Sequence, residues 1–385
     1  MSPTPLSAAA HARSALPQVA IDLIPPAHAA AIPRTAPADD GALLRGAVGR
    51  IALGLLGFVA GCMLVRWSLN AWAPVPSMPE PFRSKYEACL GAAQPFDTVF
   101  IGSSRFYHQI DPARFDALMA AKGTPTRSFN LGFDALGFTE AWFLAERVLA
   151  DPRSRVKRLI IEPVLRARMD EDLLTHQRMI AWHGPRESAF IAEFIAGSDH
   201  DPARKAYWAK LHAEATALNL TNKGAATARF VRDAEPPPDL AGMLGPNGDG
   251  FSALPREPGK AQAVADERIP ALIVQQRRRE AAGSARRPSD FEVELLHRLQ
   301  RMAAERGVRL ELVGAPTALP EIYDELRGVA RAHAEGRLQV PTHIFADAEG
   351  RPELYRADGF RDADHIFADV SAVFTALVAD AIAGE

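Results

Sequence analysis

The sequence contains little cysteine and almost no net charge. Cys62 and Cys89 are the only two cysteines in 385 residues, which excludes a disulfide framework and a cysteine-based structural zinc site, since such a site needs about four closely spaced ligands. The formal net charge of −3 argues against a nucleic-acid partner, because that function needs a basic face. Neither a G-x-x-x-x-G-K-[ST] phosphate loop nor a G-x-S-x-G nucleophile elbow is present. The first absence argues against a nucleoside triphosphate site and the second against the α/β-hydrolase superfamily. We predict no metal ion and no cofactor.

What the sequence does contain is the composition of a globular protein. Hydrophobic residues make up 48% and charged residues 24% of the chain, so it is neither wholly disordered nor fibrous. The length allows one large domain or two ordinary ones.

One long uncharged segment stands near the N-terminus. Residues 51–65 carry no charge, whereas a membrane-spanning helix needs about 20 residues. Residues 45–73 are long enough if Arg50 and Arg66 extend their guanidinium groups to the two membrane interfaces. We predict a single transmembrane anchor there. Residues 1–44 are rich in Ala and Pro, which predicts a disordered tail.

Two other interpretations of the uncharged segment stay open. A buried core helix would also be apolar over this length, and Ala71-Trp72-Ala73 has the form of a signal-peptide cleavage site, although Pro74 follows it. If the segment is an anchor, the positive-inside rule puts the N-terminus in the cytoplasm, because Arg45 and Arg50 precede the segment and Arg66 alone follows it. The rest of the chain is then extracytoplasmic.

Short apolar strands alternate with helical stretches over residues 95–385, which is typical of a parallel sheet with helices on its faces. The predicted strands are 98–101, 127–131, 158–162, 308–313 and 342–345. The predicted helices are 112–121, 137–149, 290–306, 319–334 and 369–382. We predict an α/β fold, a three-layer sandwich around a mostly parallel five-stranded sheet. Right-handed crossovers bring the carboxyl ends of all strands to one edge, where such sheets carry their sites.

Residues 165–288 interrupt this alternation with helical, polar and Pro-rich sequence. An insertion of this size is typical of a lid, a substrate-binding subdomain or a mobile loop. Arg178, Trp182 and His183 lie in it, and their donors and aromatic face suit the lining of a substrate groove for a sugar or an anionic polymer. An exposed amphipathic helix explains the same residues. Arg105 is likewise either a contact for a substrate anion or a surface charge.

The first two predicted strands both end in small residues. The first runs into Gly102-Ser103-Ser104, and the second ends in Asn130-Leu131-Gly132. Glycine lets the chain bend sharply, and the amides that follow point out of the turn, so a serine here can be both nucleophile and oxyanion donor. Ordinary turns before helices explain the same residues.

Asp362 and His365 stand three residues apart, directly before the last predicted helix. At this spacing they can meet on one face of a turn, where a carboxylate fixes the imidazole tautomer and stabilises its charged form. The chain order Ser, Asp, His, with the last two adjacent, suits a hydrolase triad.

These three motifs together resemble the first, second and fifth blocks of the SGNH/GDSL hydrolase superfamily: Gly102-Ser103-Ser104, Asn130-Leu131-Gly132 and Asp362-x-x-His365. The chain looks especially similar to the membrane-anchored bacterial members of this superfamily, relatives of the alginate O-acetyltransferase and teichoic-acid alanylation proteins. The resemblance implies a flavodoxin-like SGNH fold.

The resemblance also implies roles for single residues. Ser104 would be the nucleophile, His365 the general base and Asp362 the residue that orients it. The amides of Ser104 and Gly132 would donate to the oxyanion, with Asn130 as a further candidate donor.

The sequence departs from the family pattern at two places. Ser103 stands where the family's GDS form has Asp, a change found in its G-S-S variants. The third predicted strand ends in Glu162 and Pro163, where the superfamily usually has Gly-x-Asn-Asp. Loss of one oxyanion donor lowers the rate roughly a hundredfold to a thousandfold.

The resemblance implies a membrane-anchored serine esterase or O-acyltransferase that acts through an acyl-enzyme. Its partners would be an acyl-bearing glycan or lipid-linked substrate of the cell envelope, the membrane through residues 45–73, and a membrane protein that donates acyl groups. The catalytic domain would be periplasmic, on a bacterial inner membrane. The missing third-block Asn motivates an alternative, a catalytically inactive SGNH-like protein that binds polysaccharide or scaffolds an envelope assembly. A soluble α/β enzyme is a second alternative.

Overall fold

The computed structural model describes residues 40–72, 78–165, 177–221, 239–256 and 267–384. The chain divides into two units, residues 1–58 and residues 59–385. Helix α1 (Asp40–Trp72) includes the boundary between them.

Helix α1 contains one stretch that is long and apolar enough to cross a membrane. The stretch is Val48–Ser68, 21 residues, and none of it is buried. The absence of burial is the opposite of what a core helix requires, so it does not support that interpretation. The helix begins at Asp40, earlier than the predicted anchor at 45–73, and the last residues of the predicted tail at 1–44 are therefore helical. Residues 1–39 lie outside the described part of the chain.

The described residues form one five-stranded, fully parallel sheet, which confirms the predicted α/β class. Its strands in chain order are β1 (Thr98–Ile101), β2 (Ser128–Asn130), β3 (Arg158–Ile161), β4 (Arg309–Gly314) and β5 (Thr342–Ile344). Their spatial order is β2-β1-β3-β4-β5. Phe100 pairs with Asn130, and Ile101 pairs with Ile161, so the segments that follow β1, β2 and β3 leave the sheet at the same edge.

The helices after α1 fall between and around the strands. In chain order they are α2 (Phe82–Leu90), α3 (Ser104–Gln109), α4 (Pro112–Ala121), α5 (Phe138–Ala150), α6 (Gln177–Ala181), α7 (Pro185–Gly197), α8 (Pro202–Leu220), α9 (Leu240–Leu244), α10 (Ile269–Ala281), α11 (Asp290–Ala304), α12 (Pro320–Ala334) and α13 (Ala368–Ala383). Helix α11 starts as predicted, at a capping box. The Ser289 hydroxyl accepts from the Glu292 amide at 3.2 Å, and the Glu292 carboxylate accepts from the Ser289 amide at 2.8 Å.

Two hydrophobic clusters cover the two faces of the sheet. Val99 and Ile101 belong to the first cluster, with α2, α5 and α11. Phe100, between them on β1, belongs to the second, with α4, α12 and α13. Successive strand residues point to opposite faces, and here both faces are buried, which is why the strands read as nearly continuous apolar runs.

The first cluster extends beyond the predicted domain limits of 95–385. Phe82 and Tyr86 of α2 are buried in it, so the domain begins before residue 95. The insertion at 165–288 also belongs to the cores rather than standing apart from them. Trp208 of α8 packs in the first cluster, and Ile269 of α10 packs in the second.

One segment of the insertion, residues 249–254, lies against β2 and α3. The Asn130 amide donates to the Asp249 carbonyl at 2.8 Å, and the Ser252 amide donates to the Tyr107 carbonyl at 3.1 Å. Tyr107 is three residues beyond Ser104 in α3, so this segment borders the strand edge where the predicted site residues meet.

We expect Gly250→Ala to loosen this contact. Gly250 has φ +85°, and a Cβ there would stand 2.1 Å from the Asn130 carbonyl oxygen, so the variant must adopt a strained backbone and move the segment. The free energy of unfolding should fall by about 2–3 kcal/mol, measured by thermal unfolding. Gly336→Ala is the matched control, since Gly336 has φ +74° with no atom within 4 Å. Equal losses of unfolding free energy in the two variants would mean that the close approach of Gly250 to Asn130 does not matter for stability.

Candidate active site

Ser104 is the first residue of α3, three residues beyond the end of β1. Gly102 makes the turn between them, and a Cβ at that position would stand 2.5 Å from the Phe106 ring. Ser103 caps the helix, with its hydroxyl accepting from the Arg105 amide at 3.3 Å. Within the described part of the protein, the Ser104 amide donates to no acceptor. The turn therefore presents both the Ser104 hydroxyl and its own N–H.

The structure brings Ser104, His365 and Asp362 together as one hydrogen-bonded chain. His365 Nε2 lies 2.7 Å from Ser104 Oγ. On the other side of the ring, His365 Nδ1 lies 2.8 Å and 2.9 Å from the two Asp362 oxygens. The three side chains lie as the prediction requires, and their catalytic roles stay a prediction.

The hydrogen bonds assign the tautomer of the central ring. An ionised carboxylate can only accept, so His365 Nδ1 carries the proton that Asp362 binds. In the neutral ring, Nε2 is then left with its lone pair, and Ser104 donates to it. Burial of Asp362 raises its carboxyl pKa, but hydrogen bonds from His365 and from the Asp364 amide outweigh burial and hold the pKa below its ordinary value. Asp362 therefore stays ionised at neutral pH.

The structure contradicts two of the three predicted oxyanion donors. The Gly132 amide donates to Asn130 Oδ1 at 2.9 Å. Both hydrogens of Asn130 Nδ2 are also used, for the carbonyls of Phe106 at 2.6 Å and Ile110 at 2.8 Å. Asn130 thus ties β2 to α3 and is fully buried. Only the Ser104 amide, among the three predicted donors, remains available.

Arg105 is not the surface charge that one prediction made it, and its guanidinium is already paired with carboxylates of the protein rather than available to a substrate anion. Its side chain is 3% exposed and lies between two carboxylates. Nε donates to Glu162, and Nη1 donates to Asp364 at 2.7 Å. Burial lowers the pKa of this guanidinium, but the two carboxylates outweigh it and raise the pKa above its ordinary value. Arg105 is therefore always charged and connects Glu162 to Asp364.

Glu162 and Asp364 are the residues that the sequence reasoning missed. Glu162 follows β3 and also accepts from the Ser103 amide at 2.7 Å, while Thr317 donates to Asp364 at 2.9 Å. One ion network therefore connects the nucleophile turn to the loop that carries His365. The sequence signal that could have identified Glu162 is a carboxylate at the end of an apolar strand, in the place where the SGNH pattern has an Asn.

Arg178 lies near Ser104 but is already paired. It makes a two-pronged ion pair with Glu140, at 2.9 Å and 2.7 Å. It also donates to the carbonyls of Asp134 at 2.8 Å and Ala135 at 3.0 Å. This arginine fastens α6 to the loop before α5. It also lines a cavity beside Ser104, with its charge paired to Glu140.

Trp182 and His183 do not line a groove, so the prediction was wrong for both. Trp182 is 1% exposed and stacks on Phe143, with ring centroids 5.7 Å apart. His183 is equally buried, and its ring bonds the Met179 carbonyl and His212 Nδ1, the latter at 2.8 Å. Burial lowers the pKa of His183, and burial together with the neighbouring ring lowers that of His212 to about 3. Both rings are therefore neutral at neutral pH, and His183 is part of the core.

Compared with known proteins, the chain matches no family model, no curated protein and no solved structure. The case for a function therefore rests on the geometry of the site.

Proposed function

We propose that this protein is a membrane-anchored serine esterase or O-acyltransferase of the SGNH type. The observation that carries the proposal is the Asp362–His365–Ser104 chain, in which an acceptor nitrogen lies 2.7 Å from a serine hydroxyl at the carboxyl edge of a parallel sheet. A flavodoxin-like, three-layer SGNH fold is part of the proposal, supported by the strand order and by helices on both faces.

The chemistry follows from this arrangement. His365 Nε2 takes the hydroxyl proton as Ser104 Oγ attacks an acyl carbonyl, and Asp362 stabilises the imidazolium that forms. The Ser104 amide donates to the developing oxyanion. His365 then gives the proton to the departing alcohol, which leaves an acyl-enzyme. Water or a second alcohol attacks that ester by the same steps, so one site serves hydrolysis and transfer.

The setting of the reaction is the second part of the proposal. The span at Val48–Ser68 supports an anchor in a membrane, and the arginine bias of the flanks supports a catalytic domain outside the cytoplasm. An acyl-bearing glycan or lipid-linked molecule of the envelope is then the substrate, with a membrane acyl-donor protein as a partner. A bacterial inner membrane is the proposed location.

A catalytically inactive, polysaccharide-binding or scaffolding protein is the second candidate. The loss of two predicted oxyanion donors favours this candidate. The Gly132 amide donates to Asn130 Oδ1, and Asn130 Nδ2 donates to backbone carbonyls. With one donor remaining, catalysis would be roughly a hundredfold to a thousandfold weaker than with two.

Labelling with a serine-directed fluorophosphonate separates the two candidates. We expect the full chain to label at Ser104, located by peptide mapping, because the reagent needs a serine activated by a neutral histidine. Ser104→Ala and His365→Ala should abolish labelling. Ser103→Ala is the matched control, since it removes only the adjacent helix cap, and it should keep labelling. A folded wild-type protein that does not label would overturn the esterase proposal and favour the binding protein.

A further inference from the structure

A cavity of about 170 Å³ lies beside Ser104. Its wall is formed by the loop before α5 and by α5, α6 and α7. Most of the wall is apolar and includes Leu136, Phe138, Met179, Ile191 and Phe194.

The charged residues at the cavity are neutralised by partners within the protein. Arg178 and Glu140 both line it, and they form the two-pronged ion pair described above. Arg105 and Asp364 line it near Ser104 and are paired in the same way. An apolar wall with paired charges favours an uncharged, apolar occupant, because a charged one would lose its hydration without gaining a partner.

The position of His365 decides which half of an ester enters the cavity. The departing or incoming alcohol must lie within hydrogen-bond reach of His365 Nε2, because that atom exchanges its proton. Among the described residues, Ser104 lines the cavity and His365 does not. The alcohol therefore belongs outside, and the acyl chain is the half that extends into the cavity.

Ile191 and His212 line the cavity on the side of α7 and α8. Both residues also line an outer groove of about 560 Å³ between α7 and α8. His212 is held in place by the buried His183: one ring nitrogen of His183 donates to the Met179 carbonyl, so the other accepts from His212 Nδ1. These two side chains thus form a fixed partition between the cavity and the groove.

We propose that this cavity binds the acyl chain of the acyl-enzyme, and that Ile191 and His212 set the longest chain accepted. The inference rests on the proposed esterase or acyltransferase function. At about 30 Å³ for each water-sized group, the cavity holds roughly five or six such groups. The substrate class is therefore an uncharged acyl ester of short to medium chain length.

The test measures kcat/KM for p-nitrophenyl acetate, butyrate, hexanoate and octanoate, with the full chain in lipid nanodiscs and fluorophosphonate labelling run in parallel. For the wild type, each methylene buried up to the partition should raise kcat/KM by about fourfold, and octanoate should fall below hexanoate. Ile191→Ala opens the partition, so the ratio of octanoate to butyrate should rise by about fifteenfold as two further methylenes are buried. Ile191→Val should give a smaller rise and is the milder variant if the alanine variant does not fold.

Ile195→Ala is the matched control. Ile195 lies one helical turn further along α7, is also buried, and lines the outer groove, so the same substitution there should leave the chain-length profile unchanged. A wild type that labels but has a flat chain-length profile would overturn the acyl cavity and leave the esterase standing. Equal profiles in the Ile191 and Ile195 variants would do the same. A folded wild type that does not label would overturn both proposals.

Discussion

Replacing Ser104 by Ala is expected to lower ester turnover by about 10⁴- to 10⁶-fold. The Ser104 hydroxyl is the group that His365 Nε2 accepts from at 2.7 Å, and alanine leaves no atom to attack the carbonyl. The fold should be unaffected, because the turn is made by Gly102 and capped by Ser103. The measurement is hydrolysis of p-nitrophenyl acetate by the full chain, with thermal unfolding as the check on folding.

His365→Ala and the double variant give this prediction its internal control. Serine and histidine act as one unit in such a relay, so each single variant should lose nearly as much as the double variant. Losses that multiply in the double variant would mean that the two residues act independently, which contradicts the relay. A Ser104→Ala protein with near wild-type turnover would place the chemistry elsewhere.

Arg105→Met is expected to lower the free energy of unfolding by about 3–5 kcal/mol at neutral pH, because removing one member of a buried ion network leaves uncompensated charge. Arg105 lies between Glu162 and Asp364 and is 3% exposed. Turnover should fall as well, since those carboxylates connect the Ser103 amide to the loop of His365. Chemical denaturation and p-nitrophenyl acetate hydrolysis measure the two effects.

The pH dependence of this loss distinguishes the ion network from simple packing. Burial raises the pKa of Asp364, but Arg105 outweighs it and holds the pKa below its ordinary value. A carboxyl with a lowered folded pKa contributes stability above its unfolded pKa of about 3.9, and that contribution is lost as pH falls through the folded pKa. The deficit of Arg105→Met should therefore be full at neutral pH and shrink in acid.

Arg301→Met is the control for this series. Arg301 pairs with Glu294 on the surface, where both side chains are more than half exposed, and such pairs contribute little. A deficit in Arg105→Met that is the same at neutral and acidic pH would mean that the arginine acts through its packing alone.

The sequence was informative wherever the signal is local or follows from chain topology. The predicted strand at 98–101 matches β1, and the predicted helix at 290–306 starts where α11 does, at Asp290. The meeting of Ser104 with His365, 261 residues apart, also follows from the sequence once the sheet is parallel, because all carboxyl ends then share one edge. The pairing of Asp362 with His365 was predicted from their three-residue spacing alone.

The errors came from residues whose surroundings are supplied by distant parts of the chain. Trp182 and His183 both carry a polar atom on an otherwise apolar ring and lie on a short amphipathic stretch. The local sequence does not show whether such side chains line a groove or are buried in the core. Their burial depends on α8 and on Phe143. Arg105 is likewise buried only because Glu162, 57 residues away, and Asp364, 259 residues away, provide its counter-charges.

The sequence by itself predicted the α/β class, the five strands and one helix able to cross a membrane, each from composition, periodicity or spacing. Its resemblance to the SGNH superfamily predicted that Ser104, Asp362 and His365 meet. Only the tertiary structure decided which amides remain available to an oxyanion, since Asn130 of β2 uses the Gly132 amide. It also decided that Glu162 is a buried ion partner and that α7 closes a cavity beside Ser104. Hydrogen bonds and ion pairs between distant segments form only after the chain has packed, and no local pattern encodes them.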